Sequence, residues 1–234
     1  MRFVTKILTI MVSVLLAATV CSSCSQNMGD AKSAVSLSIG NKIAEIRKAV
    51  ESGDVNAQFH LGGIYAKGEG VEQNLEQSVF WCRKSAEQGH TNAQLLMGSA
   101  YYHGQGAKDY SQAFAWYKKV AEKGYATAQG YIGSMYANGI GLEKAYGQAV
   151  EWSRKAAEQG GWLAQFNLGL AYYKGQGVDK DLVQSLKWLS ILAKSGDKTV
   201  VKKLDEIESQ MTAAQINQAR ALAAARKPGR NRDG

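Results

Sequence analysis

The sequence predicts an all-α protein built from successive helix pairs, and three observations carry that prediction. A block running from Ala57-Gln58 to Gly62-Gly63-Ile64-Tyr65 returns at Ala93–Tyr101, Ala128–Tyr136 and Ala164–Tyr172, at spacings of 36, 35 and 36 residues. Tryptophans keep the same beat at Trp81, Trp116, Trp152 and Trp188, and glycines recur in step with them. The one proline, Pro228, lies near the C-terminal end, so proline chemistry interrupts no helix in the body.

The chain has 234 residues, 45% of them apolar, an ordinary share for a soluble globular protein. Its formal charge is +8, but much of the excess sits at the ends. Arg2 and Lys6 precede an apolar run, and Arg220, Arg226, Lys227, Arg230 and Arg232 crowd the C-terminus. Between them Lys and Arg alternate with Glu, as on a solvated helix face. This distribution speaks against nucleic acid and points only to an acidic partner.

The first 23 residues read as a signal peptide. The apolar run Ile7–Val20 has 14 residues, short of the ~20 needed to span a bilayer. Small residues follow in Cys21-Ser22-Ser23-Cys24. A CxxC redox pair needs a folded site around it, which a signal junction lacks. Ser22 and Ser23 before Cys24 resemble a bacterial lipobox, with Cys21 where Leu is usual, which makes Cys24 the expected lipidation site. Ordinary cleavage near Ser22 or Ser23, giving a soluble periplasmic or secreted protein, is the alternative. Residues 24–40 read as a spacer.

The folded part spans residues 41–226. Ile43, Ile46 and Val50 form a helix stripe, and Glu51-Ser52-Gly53-Asp54 resembles the end of a unit, so 41–54 reads as a half-repeat cap. Four repeats then fill 55–196. The first helix of each pair runs roughly from Ala57 to Lys67, Gly68 ends it, and Gly70 lets the chain turn. The second helix begins near Asn74, with Asp109 and Asp181 as N-caps in the same column and the poorer Ala145 in the third unit. Val79, Trp81 and Ala86 give that helix its apolar stripe, and Gly89 stops it. Gly62 costs ~1 kcal/mol of helix propensity relative to Ala. Its recurrence as Gly98, Gly133 and Gly169 requires two helices to cross where no side chain fits. After Gly196, Val200, Val201, Leu204 and Ile207 mark another amphipathic helix. Thr212-Ala213-Ala214-Gln215 is a capping box opening a last helix through about Arg226. Residues 197–226 thus close the array, and 227–234 read as a disordered basic tail.

The columns A-x-x-x-L-G-x-x-Y-x-x-G-x-G and S/A-x-x-W-x-x-K-x-A-E-x-G, repeated from Ala57 to Gly196, closely resemble the Sel-one-like repeat (SLR) family, a relative of the tetratricopeptide repeats. The resemblance implies a right-handed α-solenoid of helix-turn-helix units with a concave face, acting as an adaptor that holds other proteins. It also implies that binding residues occupy the variable positions of the first helices. These are Asn56, Phe59, Gly63, Ala66 and Lys67; Asn92, Leu95, Ser99, Tyr102 and His103; Thr127, Gly130, Ser134, Ala137 and Asn138; and Leu163, Phe166, Leu170, Tyr173 and Lys174. Aromatic residues with Lys or His at the helix end suit a peptide with apolar anchors and some negative charge. Phe59, Leu95 and Phe166 alternatively fill gaps between repeats. Trp162 stands where other units have Thr91 and Ala126, and it reads either as an interface anchor or as a cover over Tyr131.

Nothing in the sequence marks an enzyme or a cofactor. His60, His90 and His103 make no metal-ligand spacing, and the Gly-x-Gly pairs follow helices and lack the Lys of a phosphate loop. Some SLR members described as penicillin-binding or β-lactamase-like carry paired cysteines in each unit, a feature missing here. Cys82 shares a column with Tyr117, Ser153 and Leu189 and reads as a surface or half-buried residue. The expected function is a protein-interaction scaffold in the bacterial cell envelope, periplasm-facing and touching the membrane only through its lipid. A binder of peptidoglycan or other cell-wall polysaccharide, or a β-lactamase-like hydrolase, are the rival readings.

Overall fold

The computed structural model describes residues 38, 40–104, 108–193 and 196–227. The expected signal peptide, the lipidation site Cys24, most of the 24–40 spacer and the tail beyond Lys227 lie outside the described residues. Among those described there are helices and no strand, so the protein is an all-α helical solenoid. The helices are α1 (residues 40–51), α2 (Val55–Lys67), α3 (Leu75–Glu87), α4 (Thr91–His103), α5 (Tyr110–Glu122), α6 (Ala126–Asn138), α7 (Tyr146–Glu158), α8 (Trp162–Lys174), α9 (Leu182–Leu192), α10 (Lys198–Glu208) and α11 (Ala213–Ala224). The chain divides into two compact units, Met1–Ser85 and Ala86–Gly234.

In the first unit, Asp54 opens α2 by accepting a 2.7 Å hydrogen bond from the Ala57 amide. Gly68 closes it in the left-handed region, at φ 71°. Asn74 then opens α3 by accepting from the Gln77 amide at 2.9 Å, as its column predicts. Val50, Ala57 and Leu61 form the core, with Ile46, Ala49, Tyr65 and Trp81 packed against it. The close crossing expected at Gly62 is present: a Cβ there would run into the Cys82 sulfur. Cys82 therefore corrects the expectation of a surface or half-buried thiol. It is only 2% exposed, because the glycine opposite leaves room for one side chain and no more. Burial pushes its thiol pKa up. Val79, expected in the apolar stripe, is instead exposed with Leu75 and Phe80.

The second unit repeats this construction. Asp109 and Asp181 accept from the amides of Gln112 and Gln184 at 3.0 Å, whereas Ala145 leaves α7 without a side-chain cap. A Cβ at Gly98 would lie 2.8 Å from the Tyr117 ring, one at Gly133 2.5 Å from the Ser153 hydroxyl, and one at Gly169 2.7 Å from Leu189. The glycine column of each first helix thus packs on the Tyr117, Ser153 and Leu189 column of its partner. Gly177, at φ 76°, also sits against the backbone of Tyr146, where any side chain would collide.

Successive pairs are joined by buried glutamines. Gln94, Gln129 and Gln165 donate from Nε2 to the carbonyls of Ala86, Ala121 and Ala157 at 3.0, 3.1 and 3.3 Å. Lys123 and Gln159 reach back across the same joints. Lys123 Nζ donates to Gly89 O and Gln94 Oε1, and Gln159 Nε2 to Gly124 O and Gln129 Oε1. At the C-terminal end, Asp197 caps α10 and the Thr212–Gln215 capping box opens α11. Ala219 of α11 is buried with Leu186, Leu189, Leu192, Val200 and Ile207. Arg226 finishes the seal: it donates to the carbonyls of Ala157 and Glu158 at the end of α7 and lies 5.3 Å from the centre of the Trp188 ring. A cation suits both partners, the negative end of a helix and the face of an indole.

Candidate binding surface

The repeated columns are consumed by packing. Leu, Gly, Gln and Trp of each unit bind helix to helix, so chemistry directed outward falls to the variable positions of α2, α4, α6 and α8.

In the first unit, Phe59 and Lys67 line an open cleft of about 590 Å³ with Lys42, Ile43, Ile46 and Ile64. Lys67 pairs with Glu69 at 3.3 Å. Asn56 is exposed at the start of α2, outside this cleft.

In the second unit the predicted residues separate by surroundings. Asn92 and His103 are exposed. Leu95 and Tyr102 are half-buried and pack on the core of Ala113, Tyr117 and Ile132. Tyr102 stands edge-on to Tyr110 and Tyr131 at 5.7 and 5.6 Å between centroids, and Tyr131 stacks face to face on Tyr117 at 4.5 Å. Burial raises the phenol pKa of Tyr102 and, more strongly, of Tyr117. Tyr173 donates a 2.6 Å hydrogen bond to Glu206, with Lys203 5.0 Å from its ring, so it ties α8 to α10. Leu163 is half-buried; a Cβ at Gly130 would lie 3.7 Å from its own Cβ. Trp162 does not bury itself. It remains 45% exposed and stacks on Phe166, one turn along α8, at 5.7 Å and 7° between planes. Asn138 and Lys174 share a second cleft, of about 250 Å³, with Lys144, Tyr146, Asn167 and Leu170.

Two kinds of residue here escaped the reading of the sequence. The glutamine column was visible as a recurring Ala-Gln pair, and a polar residue at one place in every unit is itself the signal of a satisfied buried hydrogen bond. Asn167 was legible only by contrast: its column holds His60, Leu96 and Tyr131. Among the described residues, no group of three or more His, Cys, Asp or Glu side chains is placed to hold a metal ion.

Helix pairs joined by one set of contacts, with variable residues kept for the outside, define a repeat protein of the interaction type. Residues 55–90, 91–125, 126–161 and 162–197 each match the Sel1 repeat, and the chain belongs to the Sel1 repeat family. Proteins of this family generally act as non-catalytic scaffolds for protein–protein interaction. Two solved structures are similar. One is a protective antigen of uropathogenic Escherichia coli strains with an SLR fold, 37% identical, with a TM-score of 0.68 over 77% of this chain and 39% of that one. The other is a Sel1 repeat protein from Oxalobacter formigenes, 34% identical, with a TM-score of 0.63 over 80% of this chain and 76% of that one. This chain thus spans about two fifths of the antigen's length. No curated protein matches it.

Proposed function

We propose that this chain is an exported scaffold of the bacterial cell envelope, held to a membrane by a lipid on Cys24. It binds an extended, partly acidic segment of a partner protein on the variable faces of its first helices. The observation that carries the reading is the Trp162–Phe166 stack. A large apolar side chain in an off-pattern position, stacked but 45% exposed, is the kind of residue that dominates binding energy once a partner covers it. Lys174, at the end of α8 and without an ion-pair partner among the described residues, supplies the charge preference. The short apolar run before Cys24 supports export.

The test is photocrosslinking in living cells. A benzophenone amino acid at position 162 should capture one protein, identified by mass spectrometry, and the same probe at the exposed α5 position Ser111 should not. Capture of nothing at position 162, together with quantitative co-sedimentation with purified peptidoglycan, would replace the protein partner with the cell wall. The basic charge and the tyrosines of the first helices favour that second reading. Turnover of a cephalosporin reporter by the purified protein would establish the hydrolase reading instead.

A further inference from the structure

The cleft shared by Asn138 and Lys174 lies among α6, α7 and α8, entirely within the second unit. Along α8, Asn167, Leu170, Ala171 and Lys174 fall on one helix face and all line it. Opposite stand Ala137 and Asn138 at the end of α6, Lys144 just before α7, and Tyr146 and Ser153 within it.

Three features give the cleft an electrostatic sign. Two ammonium groups, Lys144 and Lys174, line it, no carboxylate does, and neither lysine has an ion-pair partner among the described residues. Lys144 has only the Tyr146 ring, 5.8 Å away. The Asn167 side-chain Nδ2 is buried without a hydrogen-bond partner, a state that native structures seldom leave uncompensated. Third, α7 begins beside the cleft with Ala145 as an N-cap that offers no side-chain acceptor, so the positive end of that helix is unneutralised.

Resting on the scaffold reading above, we propose that this cleft receives a carboxylate side chain, Glu or Asp, from the bound partner segment. The carboxylate sits between the two lysines and accepts from Asn167 once the amide turns its Nδ2 into the cleft it lines, while Leu170 and Ala137 meet the apolar neighbours of the acidic residue. A volume of about 250 Å³ holds roughly eight waters' worth of space, enough for such a side chain. The cations are separate lysine point charges with no arginine fork to grip a dianion along two edges, which favours a carboxylate over a phosphate group.

The experiment is a titration of the full chain, followed by NMR of the Asn167 side-chain amide. The probes are a capped decapeptide with three glutamates spaced by leucines, its glutamine counterpart, and inorganic phosphate. The glutamate peptide should shift the Asn167 resonances, and its affinity should fall about tenfold or more in Lys144→Gln/Lys174→Gln. The glutamine peptide should leave those resonances in place. Phosphate shifting them as strongly as the glutamate peptide would overturn the carboxylate assignment, and equal binding by the double variant would overturn the site. The two levels of inference part in cells. If Lys144→Gln/Lys174→Gln captures the position-162 partner normally, the cleft is wrong and the scaffold stands. If the unaltered protein captures none, the scaffold reading itself has failed.

Discussion

Adding one methyl group at Gly98 tests the packing scheme directly. The new carbon would sit 2.8 Å from Cδ1 and Cε1 of Tyr117 and 3.1 Å from Cγ, where carbon atoms ordinarily rest about 3.5–4.0 Å apart. The ring has nowhere to retreat. It is 1% exposed and is stacked on Tyr131 with 3° between the planes. Overpacking of this kind costs about 1–3 kcal/mol, and replacing a mid-helix glycine returns ~1 kcal/mol, so Gly98→Ala should destabilise by up to about 2 kcal/mol. Gly63→Ala is the matched control. It lies mid-helix in α2 with nothing within 4 Å of its new carbon, and it should stabilise by about 0.5–1 kcal/mol. Urea denaturation followed by circular dichroism reads both. In a Tyr117→Ala background the Gly98→Ala effect should reverse sign, because the clashing ring is gone. If Gly98→Ala stabilises the unaltered protein as Gly63→Ala does, the glycine column is not a packing device.

Other consequences follow from the same contacts. Trp162→Ala should lose the ~0.5–1.5 kcal/mol of a ring pair together with the burial of the covered part of its ring, and weaken partner capture by ~2 kcal/mol or more; a destabilised variant with normal capture would rule out the anchor. Gln129→Leu removes two hydrogen bonds, one to the carbonyl of Ala121 and one from the amide of Gln159, so at about 0.5–1.5 kcal/mol each it should cost about 1–3 kcal/mol, visible as faster amide exchange at the start of α6. The unfolded chain releases the Tyr117 phenol proton near pH 10, whereas the fold holds it to higher pH. Stability should therefore fall as pH climbs above about 10, and less steeply in Tyr117→Phe; identical alkaline profiles would contradict the burial. Cys24→Ser should convert a membrane-extracted, lipid-modified product into an unmodified one by intact mass, and an unmodified start in the parent protein would argue for simple secretion.

The fold was legible because each unit repeats its reasons. Helix ends are written in single residues: Gly68 and its equivalents, Asp109 and Asp181 as caps, Ala145 as the missing one. The glycine column gave away a close crossing because a mid-helix glycine is costly and its recurrence needs a cause. The outward surface was harder, since variable residues have no column to check them against. Tyr102 and Tyr173 occupy predicted groove positions, yet one packs against Tyr110 and Tyr131 and the other is held by Glu206. Those partners come from other helices, and no spacing within α4 or α8 reveals them. Cys82 misled for the opposite reason. Its column varies from thiol to tyrosine, which looks like tolerance at a surface, but the variation is a buried contact trading volume against the same glycine.

The glutamine joints have a consequence for how such a chain grows. Donor and acceptor lie eight residues apart in sequence, as in Gln129 and Ala121, astride the boundary between units. A duplicated gene segment one repeat long therefore carries both halves of its own joint, and an interior copy asks nothing new of its neighbours. The C-terminal end obeys a different rule. Arg226 reaches back 69 residues to the Ala157 carbonyl that Gln165 also uses, so a copy inserted between them would pull the clasp away from its seat. Lineages of this protein should lengthen and shorten upstream of Ala157, while α10, α11 and Arg226 travel together unaltered.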